Sequence, residues 1–380
     1  MLKCVSDAVE ESNAGIAEMK TLELKVSTGS YNILIGSGLL GMAGQYLRDA
    51  GFSDRAVVVT DTVVRNYYGS AVSRSLTDCG FQTTVLSIPP GEEQKSLKTA
   101  GHLYHELSRA GAERGTPVVA LGGGVIGDLA GFVAATFKRG VPLIQMPTTL
   151  LAQIDSSVGG KVAVDHGKLK NEIGAFYQPR LVISDIAVLR TLPEREVISG
   201  LAEIIKHAVI ADKDLFSYLE NNIDRIRALD EEALEDVIYR SVSIKAVVVA
   251  EDEKDIGLRN ILNYGHTIGH AVESVSAFTL RHGEAVAIGM LGAGKISCEI
   301  GIWDEHELGR LKNLLARAGL PVKIPGLNID KVIRVMKHDK KVVGGRIRFV
   351  LLNSIGEVIV TDKVEINLIR EVLDGFISNA

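Results

Sequence analysis

The sequence predicts a two-domain α/β protein, with an α/β amino-terminal domain at residues 20–192 and a mainly α-helical domain at residues 193–380. Three observations lead to this prediction. The chain has 380 residues, of which 46% are hydrophobic, and this is enough apolar material for two cores. In the first half, β-branched runs alternate with helical patterns, which is typical of a parallel sheet covered by helices. Beyond residue 193 the apolar spacing becomes almost wholly helical, and residues 1–19 are predicted to be a loose leader.

The elements of the first half follow from their apolar periodicity. Alternation of apolar and polar residues predicts a strand hairpin, and β-branched runs predict buried strands. We expect strands at 22–26, 31–35, 55–60, 83–88 and 116–121, with helices after residue 61 and at 97–112.

The second half shows mainly the helical period. Residues 193–250 carry a continuous apolar stripe that includes Leu201 and Ile205. We expect further helices at 261–275, 283–300 and 305–318, and a late strand hairpin at 346–352 and 358–361.

Composition and cysteine usage exclude several classes of protein. The net charge of −5 and the 23% of charged residues do not fit a disordered chain or a nucleic-acid partner. Cys4, Cys79 and Cys298 are too few and too far apart for a disulfide framework, which favours a cytoplasmic location. Residues 118–136 are nearly apolar, but five glycines and Asp128 indicate a buried strand, loop and helix and no membrane span.

A glycine-rich loop is the first candidate for ligand binding. Gly122, Gly124 and Gly127 satisfy the pattern Gly-x-Gly-x-x-Gly between a predicted strand and an apolar helix. Such a loop lets backbone N–H groups approach a pyrophosphate at a helix N-terminus, although tight strand–helix packing explains the glycines equally well. The usual acidic residue about 20 positions later is missing, and Asp61 at an earlier strand end is the candidate ribose ligand. We predict nucleotide binding on a Rossmann-like sheet.

Hydroxyl and lysine side chains recur over the following thirty residues. Thr148 and Thr149 follow a proline, Lys161 follows two glycines, and Lys170 precedes Asn171. A solvated loop explains any one lysine, but the repetition favours an anionic small molecule.

Histidines and glutamates form the third pattern. His266, His270 and Glu273 share one helical face, Glu203 lies on an earlier apolar helix, and His282 follows after a short turn. A carboxylate with two imidazoles suits a divalent metal with an open position, zinc first. Helical spacing pairs His266 with His270 as ligands but does not exclude His282 in place of His270. The alternative is that these histidines have only a structural role.

Several cationic groups accompany this pattern. Lys245 lies in an apolar run, Arg259 precedes Asn263, and Lys340 and Lys341 form a pair. Their convergence on one cleft would suit a substrate with a phosphate and a carboxylate group.

Taken together, these motifs resemble those of the 3-dehydroquinate synthase family. The resemblance runs from about residue 20 to the C-terminus and is carried by residues 90–95, 122–128, 147–149, 155–161, 200–206, 263–270 and 282–284. It implies an enzyme of the shikimate route that converts 3-deoxy-D-arabino-heptulosonate 7-phosphate into 3-dehydroquinate and phosphate. It further implies NAD, a divalent metal (zinc, or cobalt as an alternative) and a homodimer.

The resemblance also implies roles for individual residues. The metal ligands would be Glu203, His266 and His282, which leaves His270 for phosphate contact or proton transfer. Two positions depart from the family pattern: Asp61 stands where members of the family often have Asn, and Arg190 stands where they commonly have Lys. NAD would be held by Asp61, Glu92, Lys95, Gly124, Val125, Ile126, Gly127, Asp128, Thr148, Thr149, Lys161, Lys170, Val188, Leu189, Arg190 and Thr191. The catalytic and substrate residues would be Asp128, Lys161, Asn171, Lys206, Lys245, Arg259, Asn263, His270, Lys340 and Lys341.

The implied reaction uses NAD without consuming it. Oxidation of the hydroxyl at carbon 5 acidifies the neighbouring proton, and phosphate leaves by β-elimination. The hydride then returns, the sugar ring opens, and an intramolecular aldol closure forms the carbocycle. Three other functions compete with this one: a sugar-phosphate cyclase for another substrate, a metal-dependent polyol dehydrogenase, and a non-catalytic NAD- or metal-binding regulator.

Overall fold

The computed structural model describes residues 19–167, 169–277, 279–338, 342–343 and 346–378. They form two compact units. The α/β unit contains the described residues up to Leu192 together with Leu234–Lys254, and the helical unit contains Pro193–Ala233 and the described residues from Asp255 onward. The predicted leader lies outside the described residues except for Met19. The domain boundary expected at residue 193 stays a prediction. In the structure, Leu234–Lys254 group with the residues before that boundary.

The α/β unit is built around one seven-stranded sheet. Its strands are ordered β1-β2-β9-β6-β5-β3-β4, with β1 and β2 antiparallel and all other neighbours parallel. The elements are β1 (Lys20–Val26), β2 (Gly29–Gly36), α1 (Ala43–Asp49), β3 (Arg55–Asp61), α2 (Thr62–Val64), α3 (Ser70–Asp78), β4 (Gln82–Ile88), α4 (Leu97–Arg109), β5 (Val118–Gly122), α5 (Gly124–Thr136), β6 (Leu143–Pro147), β7 (Lys161–His166), β8 (Leu169–Phe176) and β9 (Leu181–Asp185).

The central strands of this sheet are apolar because both of their faces are covered. Every residue of β5, β6 and β9 is buried. On one face, Val57 and Val59 pack in a core with Leu103 of α4 and Leu129 of α5. The predicted parallel α/β fold is confirmed, and the apolar stretch at 118–136 is a strand, a turn and a helix.

Residues 161–176 depart from the prediction. They form the antiparallel hairpin β7–β8, where the sequence favoured loops. The second strand shows no alternation of buried and exposed residues, because nearly all of its side chains face solvent. A strand of this kind lacks the period of two that sequence analysis depends on.

The helical unit contains most of the later elements. They are α6 (Glu194–Ala211), α7 (Lys213–Arg227), α8 (Glu231–Glu251), α9 (His266–Val275), α10 (His282–Glu299), α11 (Glu305–Arg317), β10 (Ile324–Pro325), α12 (Ile329–His338), β11 (Val342–Val343), β12 (Arg346–Ile347), β13 (Phe349–Ser354), β14 (Glu357–Thr361), α13 (Ile366–Gly375) and β15 (Ile377–Ser378). Most of α8 groups with the α/β unit.

Two boundaries in this half differ from the prediction. The helix expected from residue 261 starts at His266, because a 3₁₀ turn at Leu258–Asn263 and a left-handed Gly265 (φ 77°) precede it. The late hairpin pairs β13 with β14, whereas Arg346–Ile347 pairs with Val342–Val343. Across the described residues, no helix combines the length and the apolar character needed to cross a membrane.

Candidate functional site

The carboxyl ends of the parallel strands bring together the predicted cofactor segments. Because parallel strands end at the same edge of a sheet, the segments after β3, β5, β6 and β9 lie along one edge. The chain passes from β3 to its neighbour β4 on one side and from β5 to its neighbour β6 on the other. The direction of winding therefore reverses between β3 and β5, and open α/β sheets bind ligands at such points.

The glycine-rich loop lies at this reversal. Gly123 is the N-cap residue of α5, and no side chain caps that helix. A Cβ atom on Gly122 would lie 2.6 Å from Cβ of Ile126, and one on Gly123 would lie 3.0 Å from Cγ2 of Thr149. The Thr148 N–H donates to the Gly122 carbonyl over 3.0 Å. The loop is thus held close to the next one, and the N-terminal N–H groups of α5 are suited to a phosphate group.

Asp61 ends β3 and begins the helix that follows. Its Oδ1 atom accepts hydrogen bonds from the N–H groups of Val63 (2.8 Å) and Val64 (2.9 Å). Its position beside the glycine-rich loop fits the predicted ribose contact, and the cap fixes the orientation of its carboxylate.

Lys95, Asp128 and Asn171 form a compact polar cluster. The buried Nζ atom of Lys95 lies 2.5 Å from Oδ2 of Asp128 and 2.5 Å from Oδ1 of Asn171. Burial raises the pKa of Asp128 to about 6, even though the Lys95 ammonium lowers it. Asn171 has a left-handed backbone (φ 54°), which the N–H bond to Asp165 supports. Three predicted site residues therefore meet in this unit.

The last segment at this edge is the 3₁₀ turn Ile186–Thr191, which contains the predicted residues 188–191. Asp185 fixes its start by accepting from the N–H groups of Gly38 (2.8 Å), Leu40 (2.9 Å) and Ala187 (3.0 Å). The side chain of Gln153 donates to the carbonyl of Asp185 over 2.8 Å. The buried position of Gln153 makes it a bracing residue for this edge.

A second ion pair lies in the same unit. Lys245 of α8 is buried and forms an ion pair with the carboxylate of Asp155, and its Nζ also donates to the Asp155 carbonyl over 2.5 Å. Asp155 belongs to a π-helical turn, Ala152–Ser156. By contrast, Glu92, Lys161 and Lys170 are exposed.

The helical unit brings the predicted metal ligands together. Glu203 of α6 is fully buried, and its Oε1 atom lies 3.6 Å from Nε2 of His266 and 3.6 Å from Nε2 of His282. One ligand atom from each of these three residues lies within 4.8 Å of the others. His270 is exposed, with its ring centroid 5.1 Å from that of His266. The described cluster therefore contains His282 in the place that helical spacing gave to His270.

Glycines allow the three helices to approach so closely. A Cβ atom on Gly283 would lie 2.1 Å from the Ser199 carbonyl oxygen of α6, one turn before Glu203. A Cβ atom on Gly289 would lie 1.9 Å from the carbonyl oxygen of Gly265, next to His266. Larger residues would force α10 away from α6 and α9, and the cluster would open.

Hydrogen bonds orient both imidazoles toward the carboxylate. Nδ1 of His266 donates to the Tyr264 carbonyl over 3.1 Å, and Nδ1 of His282 donates to Oε2 of Glu273 over 3.2 Å. Both partners are acceptors, so Nδ1 carries a proton in each ring, and Nε2, which faces Glu203, is the atom that can bind a metal once it is deprotonated. This is the usual arrangement of metal-binding histidines.

The members of the cluster influence one another's protonation. No donor among the described residues gives either carboxylate oxygen of Glu203 a hydrogen bond of regular geometry, although Lys206 is its ion-pair partner. Burial raises the pKa of Glu203, but Lys206 and the imidazoles outweigh it and hold this pKa well below its usual range. Burial also lowers the pKa of His266 well below its usual value. Burial likewise lowers the pKa of His282, but the nearby carboxylates of Glu203 and Glu273 outweigh it and raise this pKa to about 9.

The remaining predicted residues have mixed positions. Lys206 and Arg259 are buried, and Asn263 is half-buried before α9. Lys340 and Lys341 lie outside the described residues. The sequence named Asp155 and Glu273 within motifs but gave them no bracing role, and it did not indicate the bracing residues Gln153 and Asp185.

Family models and a curated relative match most of the chain. The family model described as "3-dehydroquinate synthase N-terminal" matches residues 85–199, and the one described as "3-dehydroquinate synthase C-terminal" matches residues 200–342. The chain is 50% identical over 346 residues to a 3-dehydroquinate synthase of Dehalococcoides mccartyi, covering 91% of this chain and 96% of that relative.

Solved structures are similar over almost the whole chain. A 2-deoxy-scyllo-inosose synthase complexed with carbaglucose-6-phosphate, NAD⁺ and Co²⁺ is 30% identical, with a TM-score of 0.86 and coverage of 94% of this chain and 100% of that one. A 2-epi-5-epi-valiolone synthase from Streptomyces hygroscopicus subsp. jinggangensis, with NAD⁺ and Zn²⁺ bound, is 28% identical, with a TM-score of 0.85 and coverage of 96% and 99%.

Proposed function

The chain belongs to the 3-dehydroquinate synthase family, and from this premise we propose that it converts 3-deoxy-D-arabino-heptulosonate 7-phosphate into 3-dehydroquinate and phosphate. The observation that carries the proposal is the buried cluster of Glu203, His266 and His282 in a chain of this family. Because phosphate leaves by elimination, the enzyme is a lyase. It acts in the route to aromatic amino acids.

Glu203, His266 and His282 would hold a divalent metal, Zn²⁺ or Co²⁺. One carboxylate and two imidazoles leave a coordination position open for substrate oxygen atoms, which is the arrangement of a catalytic site. Glu273 and the Tyr264 carbonyl would keep Nε2 of both rings directed toward Glu203, where the metal would be held. When bound, the metal would polarise a substrate hydroxyl group, and NAD would accept a hydride from the carbon that bears this group and later return it.

The edge of the sheet in the α/β unit would hold NAD. The loop of residues 122–127 and the N-terminus of α5 would bind the pyrophosphate, and Asp61 would accept a hydrogen bond from a ribose hydroxyl. Lys95 is held in place by Asp128 and Asn171. The other cofactor contacts would come from Thr148, Thr149, Lys161, Lys170, Glu92 and residues 188–191.

Cationic and amide groups would bind the carboxylate and phosphate of the substrate. Lys245 is held by Asp155, so its ammonium has a fixed position and little rotamer freedom to lose. Lys206, Arg259, Asn263 and the pair at 340–341 would complete the set, and His270 would contact the phosphate or move a proton through its imidazole. These groups mainly orient the anion and stabilise charge, while a phosphate oxygen of the substrate can take the proton during elimination.

We further propose a cytoplasmic homodimer without nucleic-acid or membrane partners. The described cysteines, Cys79 and Cys298, are free thiols, which supports a reducing compartment. The net charge of −5 gives no electrostatic support for a polyanionic partner.

Phosphate release with trace NAD tests the proposed reaction. The metal-loaded protein is incubated with the heptulosonate phosphate and substoichiometric NAD, while free phosphate and NADH absorbance are followed. We expect phosphate far beyond the NAD supplied and no lasting NADH, because the hydride returns in each turnover. Stoichiometric NADH without phosphate would contradict the proposal and indicate a dehydrogenase.

Parallel arms separate the competing functions. Glucose 6-phosphate tests a cyclase related to the inosose synthase, and glycerol tests a polyol dehydrogenase. Preference for either over the heptulosonate phosphate would contradict the proposed substrate. Binding of NAD and metal without turnover of any of the three would indicate a regulator.

A further inference from the structure

Tyr68 links two segments at the edge of the sheet. Its hydroxyl group lies 3.0 Å from the Val188 carbonyl oxygen and 2.5 Å from Oγ1 of Thr191. Oγ1 of Thr191 lies 3.1 Å from the same carbonyl. One hydroxyl therefore donates to the carbonyl and the other donates to its neighbouring hydroxyl, which closes a three-membered network.

This link crosses the centre of the sheet. Tyr68 lies on the helix that follows β3, and Ile186–Thr191 follows β9, with β5 and β6 between those two strands. Three strand spacings amount to roughly 14 Å. The link therefore joins the segments that border the ends of β5 and β6, where the glycine-rich loop and Thr148 lie.

Both linked segments are fixed at their other ends. The helix starts at Asp61, whose carboxylate caps it, and the 3₁₀ turn starts at Asp185, which accepts three backbone N–H bonds. Each segment is thus anchored on its own strand. The hydroxyl of Tyr68 adds a restraint between the two segments, away from these anchored ends.

The local backbone gives Tyr68 a different environment from its neighbour. Residues Arg65–Gly69 form a π-helical turn between α2 and α3, and such turns often occur at functional sites. Tyr67 is 59% exposed, whereas Tyr68 is half-buried and hydrogen-bonded.

We propose that Tyr68 is a positioning residue for NAD, because its hydroxyl holds residues 188–191 against the helix that begins at Asp61. This inference rests on the proposed function, in which both segments contact the cofactor. Tyr68 acts through Val188 and Thr191 and sets the separation of the two segments. Without the hydroxyl, the two segments would be less ordered before NAD binds. Binding would then have to order them, and this cost in free energy would weaken binding without changing the chemistry.

Tyr68→Phe tests the proposal, with Tyr67→Phe as the matched control. Both variants lose one phenolic hydroxyl, at adjacent positions. For Tyr68→Phe we expect the Kd for NAD, measured by titration calorimetry, to rise roughly threefold to tenfold, the effect of one hydrogen bond. Its kcat at saturating NAD should stay within about twofold of the wild-type value. Tyr67→Phe should leave the Kd unchanged.

The result can be separated from the fate of the proposed function. If the wild-type protein releases phosphate from the heptulosonate phosphate and all three proteins bind NAD equally well, the function stands and the role of Tyr68 is overturned. A fall in kcat at saturating NAD with unchanged Kd would also overturn that role. If the wild-type protein binds NAD but releases no phosphate, the function fails, while a selective rise in Kd for Tyr68→Phe still supports the role of Tyr68. A wild-type protein that binds no NAD overturns both.

Discussion

The two candidate sites, one in each unit, are built on different principles. In the α/β unit the charged side chains have partners of opposite charge, with Lys95 bound to Asp128 and Lys245 bound to Asp155. In the helical unit a fully buried carboxylate, Glu203, faces two imidazole nitrogens and one ammonium group. The first site offers backbone N–H groups and paired charges at strand ends, and the second offers metal ligands on helix faces.

This difference shows what each site requires of a ligand. In the site at the strand ends of the α/β unit, hereafter the strand-end site, these lysines and aspartates already neutralise one another. A nucleotide therefore needs only contacts with the loops and the correct distance between them. The helical cluster places one carboxylate oxygen and two imidazole nitrogens within 4.8 Å of one another, so a divalent cation could bind all three. Changes in the helical cluster should therefore have the larger effects.

The largest effect is expected from the ligands of the cluster. Glu203→Gln and His282→Ala should each reduce metal affinity by more than about a hundredfold, beyond what loss of a supporting hydrogen bond causes. His270→Ala should keep the metal and slow turnover. Metal content after dialysis, measured by atomic emission, distinguishes these outcomes. Loss of metal from His270→Ala with retention in His282→Ala would restore the pairing suggested by helical spacing.

The next effect comes from the glycines that bring the helices together. Gly283→Ala places a methyl group against the Ser199 carbonyl, so we expect a loss of about 3 kcal/mol in the free energy of unfolding, together with weaker metal binding. Gly309→Ala in α11 is the control, because its Cβ meets nothing within 4 Å. It should stabilise the helix by about 0.5–1 kcal/mol. Denaturant titration measures the free energy of unfolding of both variants. Equal changes in the two would contradict the close approach of Gly283 to the Ser199 carbonyl.

A smaller effect is expected from the residue that orients His282. Glu273→Ala removes the acceptor of its Nδ1 proton, which should lower metal affinity about 10- to 100-fold. Glu299→Ala, at the opposite end of α10 from His282, should not change it. Competition with a coloured chelator measures the affinity. Unchanged affinity in Glu273→Ala would show that the hydrogen bond does not support a ligand.

The smallest effect concerns Asp128 in the strand-end site. Burial raises its pKa from 3.8 to about 6, so the folded protein binds this proton more tightly than the unfolded chain does. Its stabilising contribution is complete below pH 3.8 and is lost as the pH rises through about 6. The free energy of unfolding of the wild type, minus that of Asp128→Asn, should fall as the pH rises from 3.8 to about 6. A flat difference between the two calorimetric curves would contradict a raised pKa.

The strand-end site could be predicted largely from local sequence. The buried run before Gly122 and the glycines after it indicated a strand, turn and helix, and Asp61 directly follows another β-branched run. Both signals involve neighbouring residues, which is why they could be interpreted without a structure. The hairpin at 161–176 gave no such signal, because its second strand is exposed.

The helical cluster could be predicted only in part. The i, i+4 spacing of His266 and His270 is a local pattern, but the second imidazole of the described cluster comes from another helix. Its approach depends on contacts of Gly283 and Gly289 with distant backbone, which no local pattern contains. The resemblance to a known family supplied His282. Likewise, nothing near Tyr68 in the sequence indicates its bond to a residue 120 positions away.

Transient oxidation of the substrate is the central claim, and stopped-flow absorbance tests it most directly. Enzyme loaded with metal and NAD is mixed with excess heptulosonate phosphate, while NADH absorbance and phosphate release are recorded together. The account predicts that NADH rises, stays below the enzyme concentration, and returns to baseline once substrate is exhausted, with phosphate equal to substrate consumed. NADH that accumulates and persists in proportion to substrate, without phosphate, would contradict it.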